Sequence, residues 1–539
     1  MVVVVANDAR ASNPAARKSA GAYCSLRAPV VRDERPEETL FAGSAADDDD
    51  DDALCSRSSP VVRDPPLSLA QVRAMFPAVS VPRFSLGYAF FENAGGSQVP
   101  ALVADAVRAR MVRAHAQLGA GYPHADRADA CADAAHAVVR AVMGVRAGDG
   151  DVALGPSTSQ LLANLARGFE GSASLAPGDE IVIQRASHEA NVSPWTRLAD
   201  RVGCDVVWWN DADATWDGWE DETTTPPPPP TTTTGNASKT HALDALRAAV
   251  TPRTKIVAAC AVSNILGGVV DVPALVRVVR ERAHPSCRVV LDAVAYAPHR
   301  LVSVAEWGVD WCAFSPYKTF GPHCGALYGR EDAFAEVAES GPNHYFVDPA
   351  ARAYKFELGS VAHEACAGLV GMGAYLRALS GRRAGVGTRT EGEEEEEEEE
   401  EEAVDLDLAP PTREDVVVAF ERVVELEREP QRALVAILTA LEDEGLIAIH
   451  GPRTADQAAR VPTAAFSPTK KSAADIVAAV RAPPYKIAMR SGHMYAVRLL
   501  EDLGLDPNVG VVRVSLAHYN TTEEVARFGE ALGAALRGE

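Results

Sequence analysis

The stretch Asp310–Arg330, DWCAFSPYKTFGPHCGALYGR, holds one lysine between two short apolar runs. The first run, Asp310–Phe314, ends at Ser315; the second is Cys324–Tyr328. Lys318 lies between them, in a turn marked by Pro316, Gly321 and Pro322. Lysine is seldom buried without a partner. An amine kept out of water there loses basicity and becomes a nucleophile toward an aldehyde. Most turn lysines are simply solvated, so Lys318 gains meaning only from the residues around it.

Those residues recur at the ends of other apolar runs. In DVALGPSTSQLLANLARGF an expected strand ends at Leu154, and Ser157, Thr158, Ser159 and Gln160 open a helix. Free N–H groups and hydroxyls at a helix start can bind an anion. There is no GxxxxGK, so this is not a nucleotide P-loop. In EIVIQRASHEANVSPW, His188 and Asn191 follow a strand. Lys255–Val262 is a strand ending near Asn264, and Arg288–Leu291 is one ending at Asp292. In YAFFENAGGSQVP an apolar strand runs into Asn93 and a glycine pair that lets backbone approach a ligand.

Stepping from strand to strand, helical patterns intervene, as at Val272–Arg282. Such alternation predicts an α/β fold with a mostly parallel sheet covered on both faces. Ligands of such sheets sit at the carboxyl ends of the strands. Here those ends deliver Ser159, His188, Asn264, Asp292, Ser315 and Lys318. Further on, Lys355–Leu369 reads as strand, glycine turn and helix. A long helix is expected over Arg413–Glu444, kinked or broken at Pro430. Strands at Ile447–His450, Thr463–Ser467 and Val511–Leu516 alternate with helices and predict a smaller second α/β domain.

Residues 1–65 are polar and acid-punctuated and are expected to be disordered. Residues 66–350 form the large domain and 351–539 the small one, with low-complexity inserts at 211–238 and 386–408. Six aspartates at Asp47–Asp52 and ten glutamates at Glu393–Glu402 contribute most of the net charge of −23. What is left carries no basic face for nucleic acid. No apolar run spans a bilayer, so no membrane partner is expected. The opening MVVVVA is not a secretory signal, which points to the cytoplasm, with a plastid or mitochondrial transit segment as the alternative. Nine scattered cysteines form no CxxC pair and predict reduced thiols with no metal site.

A Schiff-base lysine, a strand-end aspartate, a ring stacker and an anion cradle are what pyridoxal 5′-phosphate needs. Lys318 would hold the aldehyde and Asp292 the protonated pyridine nitrogen, making the ring an electron sink. His188 could stack on the ring, Ser159, Gln160 and Ser315 could bind the phosphate, and Asn264 the phenolic oxygen. Once displaced, the Lys318 amine is a base for the substrate Cα proton.

Taken together, FFENAGGSQVP, SHEANVSPW, VSNILGG, LDAVAYAPH, SPYKTFGP, FELGSVAHE and RVSLAHYNTTEEV resemble the class V aminotransferases of fold type I. The cysteine desulfurase-like branch is the nearest. The resemblance implies a large domain with an α/β/α sandwich and a smaller C-terminal domain. It implies that Ser360 reaches the phosphate of a second subunit's site, hence a homodimer. It implies that Arg513 binds the substrate carboxylate, with Asn264, Arg490 and Asn93 as further substrate contacts. Desulfurases carry a nucleophilic cysteine in the loop matching Arg490–Arg498; here Tyr495 falls there, and no cysteine follows Cys366. A phenol cannot form a persulfide.

The expected function is therefore a transferase or lyase acting on a small α-amino acid. Transamination, β-elimination and racemisation share one Cα deprotonation and stay open, with His493 or Tyr495 as an acid near the leaving group. The alternatives are a sulfurtransferase using another cysteine, Cys324 being nearest in sequence, and a non-catalytic interaction protein with this fold.

Overall fold

The computed structural model describes residues 63–210, 239–382 and 407–538, all within one compact unit. The expected disordered segment and both inserts lie outside the described residues, apart from residues 63–65 and 407–408 at their margins. Arg63 and Asp64 are already held: Arg63 Nη1 donates to Asp415 at 2.9 Å and Asp64 N–H to the Gly381 carbonyl.

Thirteen strands are described. They are β1 (Ala89–Phe90), β2 (Gly150–Gly155), β3 (Glu180–Gln184), β4 (Asp205–Trp209), β5 (Thr254–Cys260), β6 (Arg288–Asp292), β7 (Trp311–Phe314), β8 (Gly325–Arg330), β9 (Ile447–His450), β10 (Thr463–Pro468), β11 (Ile487–Ala488), β12 (Arg490–Gly492) and β13 (Val511–Ser515). The main sheet has the order β2-β8-β7-β6-β5-β3-β4, and β8 alone runs antiparallel to its neighbours.

Its central strands are buried along nearly their whole length, which is why they read as near-continuous apolar runs. Alternate side chains serve different cores. Val182, Val257, Ala259, Val289, Leu291, Cys312 and Phe314 join one. Ile181, Ile183, Ile256, Ala258, Val290, Trp311 and Ala313 join the other, on the opposite face. This is the expected α/β/α layering. The helix His363–Leu379 packs on the helices Ala101–Arg113 and Pro123–Met143 in the first layer.

The second sheet is antiparallel, β12-β13-β10-β9. The helix Arg413–Asp443 ties it to the main sheet: Val416, Ala419, Phe420 and Val423 enter the first core, while Leu434, Leu438 and Leu441 enter the core under the second sheet. Of the kink or break expected at Pro430, the break does not occur, because burial of both flanks holds the helix through the missing hydrogen bond. The strand expected at the start of Lys355–Leu369 is instead a run of 3-10 turns over Pro349–Phe356. Sequence reasoning also missed β11 and β12, too short for a period to show. The strand expected in Tyr88–Pro100 is two residues long and pairs with β11.

Opposite the site, the amino ends of β6 and β7 are gathered by Asp310, which is fully buried. It accepts from Arg280 at 2.6 Å, Arg288 at 3.1 Å, Arg330 at 3.2 Å and Val289 N–H at 2.7 Å. Removing it takes a fully buried carboxylate from Val289 N–H and from three guanidinium groups; Arg288 keeps Glu336 and Asp332 and Arg330 keeps Asp332, but Arg280 loses its ion pair. We expect Asp310→Ala to lower the unfolding free energy by about 3–5 kcal/mol, measured by denaturant titration; a loss under about 1 kcal/mol, the worth of a surface pair, would refute this role.

Candidate active site

Strand β7 ends at Ser315, and a single 3-10 turn, Pro316–Lys318, turns the chain back toward β8. Proline at the first position of the turn presets its φ. Lys318 ends up only 8% exposed and forms no ion pair among the described residues. Burial first, and the Arg513 charge second, push its pKa down to about 8, against an opposing pull from Asp292. Asp292 is the last residue of the adjacent strand β6, and Ala293 N–H donates to Ala313 O at 2.8 Å. Its Oδ1 accepts from Val294 N–H at 2.8 Å. Burial raises the carboxyl pKa, and that hydrogen bond and the Lys318 charge resist the rise. The amine and the carboxylate, delivered by adjacent strands, thus feel each other.

His188 follows β3. Its Nδ1 accepts from Ala190 N–H at 3.1 Å, which leaves Nε2 to carry the proton of a neutral ring. Burial, then Lys318 and Arg513, hold its pKa at about 4, so it is uncharged at neutral pH. Asn264 follows β5; its Nδ2 donates to Met494 O at 2.9 Å, and its buried Oδ1 has no partner. Arg513, on β13, is 4% exposed. Its Nη1 donates to Asn264 O at 3.1 Å, its buried Nε is unpartnered, and it has no ion pair among the described residues. Burial brings its pKa down to about 10.

The other expected contacts distribute differently. Arg490 pairs in register with Arg513 across β12 and β13, is exposed, and reaches Glu92 at 3.2 Å. Asn93 is buried with its amide committed internally, donating to Ser515 O and accepting from Tyr519. Ser360 is exposed, 3.4 Å from His363 Nε2, and outside the cluster. Ser159 and Gln160 are exposed as well.

The residue that sequence reasoning passed over is Thr158. The helix Thr158–Gly171 is capped by Ser157, and Thr158 is buried in its first turn. Its hydroxyl donates to Phe314 O and lies 2.8 Å from Ser315 Oγ. A signal was available: Thr158 shares the helical stripe of Leu161, Leu162 and Leu165, whereas Ser159 and Gln160 do not. Gly325, opening β8, makes this approach possible, because a Cβ there would stand 2.3 Å from Thr158 N.

A buried amine, a strand-end carboxylate, paired hydroxyls where a helix start meets the end of β7, and two orphaned buried polar atoms on Asn264 and Arg513 fit pyridoxal 5′-phosphate with an amino acid. Sulfur chemistry finds less. Among the described residues Cys260, Cys312 and Cys324 are buried, and burial pushes Cys324 up to about 12. No cluster of three metal-ligating side chains occurs among the described residues, and no described helix is long and apolar enough to cross a membrane.

A family model described as aminotransferase class-V matches residues 89–222, 231–403 and 418–528. The aminotransferase-like protein FGM3 of Gibberella zeae is 31% identical over 470 residues, spanning 86% of this chain and 98% of that protein. The solved structure of the cysteine desulfurase CsdA from Escherichia coli superposes with a TM-score of 0.61 at 22% identity, covering 87% of this chain and 99% of that one. The cystine C-S lyase C-DES, in complex with its reaction product cysteine persulfide, gives 0.60 at 16% identity, covering 85% and 98%. At these identities the solved structures show the fold, which is fold type I.

The depressed Lys318 pKa has a measurable consequence. Between about 8 and the ordinary 10.5, the unfolded chain binds a proton that the folded chain has lost, so stability rises with pH across that window. In cofactor-free protein, Lys318→Met should therefore melt above wild type near neutral pH, with the gap closing toward pH 10. A gap that stays constant from neutral pH to 10 would contradict it.

Proposed function

This chain belongs to the class-V aminotransferase family and is a pyridoxal 5′-phosphate enzyme, and from that premise we propose that it acts on a small α-amino acid by lyase or aminotransferase chemistry that uses no persulfide cysteine. One observation carries the reading. A buried arginine with no ion pair among the described residues, Arg513, acts on a buried lysine whose basicity is reduced. An unpaired buried charge is costly. A substrate carboxylate would neutralise Arg513 through its planar fork.

The bound cofactor supplies an electron sink for the pair left behind when the Cα proton is removed. The protein's own groups do the rest. Asp292 would keep the ring nitrogen protonated, its charge sustained by the Val294 N–H. Neutral His188 offers a ring face that adds no positive charge. Thr158, Ser315 and the helix start beside them are the groups to hold the phosphate. Lys318, its basicity lowered to a pKa of about 8, would take the proton from Cα and return it. Exposed Ser360 suits a role in a second subunit's site, which supports a homodimer.

Sulfur transfer through Cys324 is disfavoured, since a thiol with a pKa near 12 is not a thiolate at neutral pH. The loop expected to carry a sulfur-accepting cysteine carries Tyr495.

Borohydride reduction should fix the cofactor to Lys318 in wild type and to nothing in Lys318→Ala, and kcat should fall by about 10²–10⁴-fold in that variant. Thiol alkylation should leave turnover intact. An absence of bound cofactor in both proteins would remove the assignment. Arg513→Ala should raise KM for an amino acid by about 10–100-fold; an unchanged KM would take the carboxylate away from this arginine.

A further inference from the structure

The segment between β12 and the helix Val497–Asp502 runs from the second sheet past Asn264 and His188. Two successive non-glycine residues in it, Met494 and Tyr495, have left-handed backbones, with φ of 46° and 60°. Such residues persist only where their surroundings hold them, and they concentrate at functional sites. Here the surroundings are specific. Glu189 N–H donates to Tyr495 O at 2.7 Å, and Asn264 Nδ2 donates to Met494 O at 2.9 Å. Tyr495 N–H donates to His493 Nδ1 at 3.0 Å. Arg498 donates to the Glu189 carboxylate at 2.6 Å and lies over the Trp208 ring at 4.9 Å. Arg185 lies 5.6 Å from that ring and grips Asp502 at 2.7 Å.

This strap is fastened to Glu189, next to His188, and to Asn264, a group of the site. Yet the side chain it displays is not core: Tyr495 is 60% exposed. Its ring centroid lies 5.4 Å from that of His188, and His493 lies 5.9 Å away on another side. A strained, multiply anchored backbone that presents an exposed phenol against the ring of His188 is not explained by packing. The phenol's rigid ring and single O–H suit a ligand contact made at low cost in side-chain freedom.

We propose that Tyr495 is a specificity-determining residue that donates a hydrogen bond to the substrate's side chain, selecting amino acids with a compact hydrogen-bond acceptor at Cβ, such as thiol or hydroxyl, over alanine. The proposal rests on the reading of Lys318 and Arg513 given above, which orients Cα between them. Glu189 and Arg498 are positioning residues: they hold the strap and touch neither the substrate nor the reacting atoms.

The test uses the full chain with its cofactor. Cysteine, serine and alanine are titrated and the half-saturation of the cofactor's absorbance change is read, independently of turnover. In wild type, cysteine and serine should half-saturate below alanine. Tyr495→Phe keeps the ring and loses the donor, and should shrink the cysteine-to-alanine preference by about tenfold. Glu189→Ala should shrink it in the same direction and by less. An unchanged preference in Tyr495→Phe, including an equal shift for all three amino acids, overturns the proposal. So does a wild type that responds to alanine but to neither cysteine nor serine, an outcome that leaves the Lys318 reading standing. A wild type that binds cofactor and responds to no amino acid defeats that reading, and this proposal with it.

Discussion

Two cations and one anion share a cleft that water scarcely enters, and the fold is arranged around tolerating them. Lys318 and Arg513 each lower the basicity of the nearby groups, and Asp292 opposes the effect on Lys318. Left alone, such a cluster would cost stability. It persists because the strands beneath it are buried on both faces and cannot move apart without opening two cores. The uncompensated positive charge is then a binding resource: a carboxylate or phosphate entering the cleft meets donors already oriented and already stripped of water.

The supports for this cluster come from separate parts of the chain. Asp292, Ser315 and Lys318 are delivered by neighbouring parallel strands, so their spacing is set by the ladder. Arg513 arrives from the second sheet, whose position depends on the long helix that enters both cores. The strap carrying Tyr495 is bonded to the loops after β3 and β5. Asp310 gathers the far ends of β6 and β7 through three arginines. Stability is thus concentrated at one end of the strands while reactive groups occupy the other.

Several elements were legible because their cause is local. The apolar runs before His188, Asn264, Asp292 and Lys318 are strands, and the helix Val272–Arg282 appears with its expected ends. Other readings failed where the cause is distant. Pro430 sits in an unbroken helix because each flank is buried against a different core. Lys355–Phe356 forms 3-10 turns rather than strand, in a stretch that enters no sheet. Thr158, one place before the residues first chosen, faces Ser315 because the helix turns it inward.

Residue types and strand-end positions in the sequence alone determined the chemistry on offer: an amine, a carboxylate, an imidazole and an arginine, each at an end of a probable element. They also determined the absence of a cysteine after Cys366. Tertiary structure alone decided which polar side chains share a dry space. It turned Asn93 inward to Ser515 and Tyr519, left Ser159, Gln160 and Ser360 in solvent, and set Tyr495 against His188. The reason is physical: identity and period fix what a side chain can do and which face it occupies, whereas basicity and contact depend on desolvation and on charges brought close by strands hundreds of residues apart.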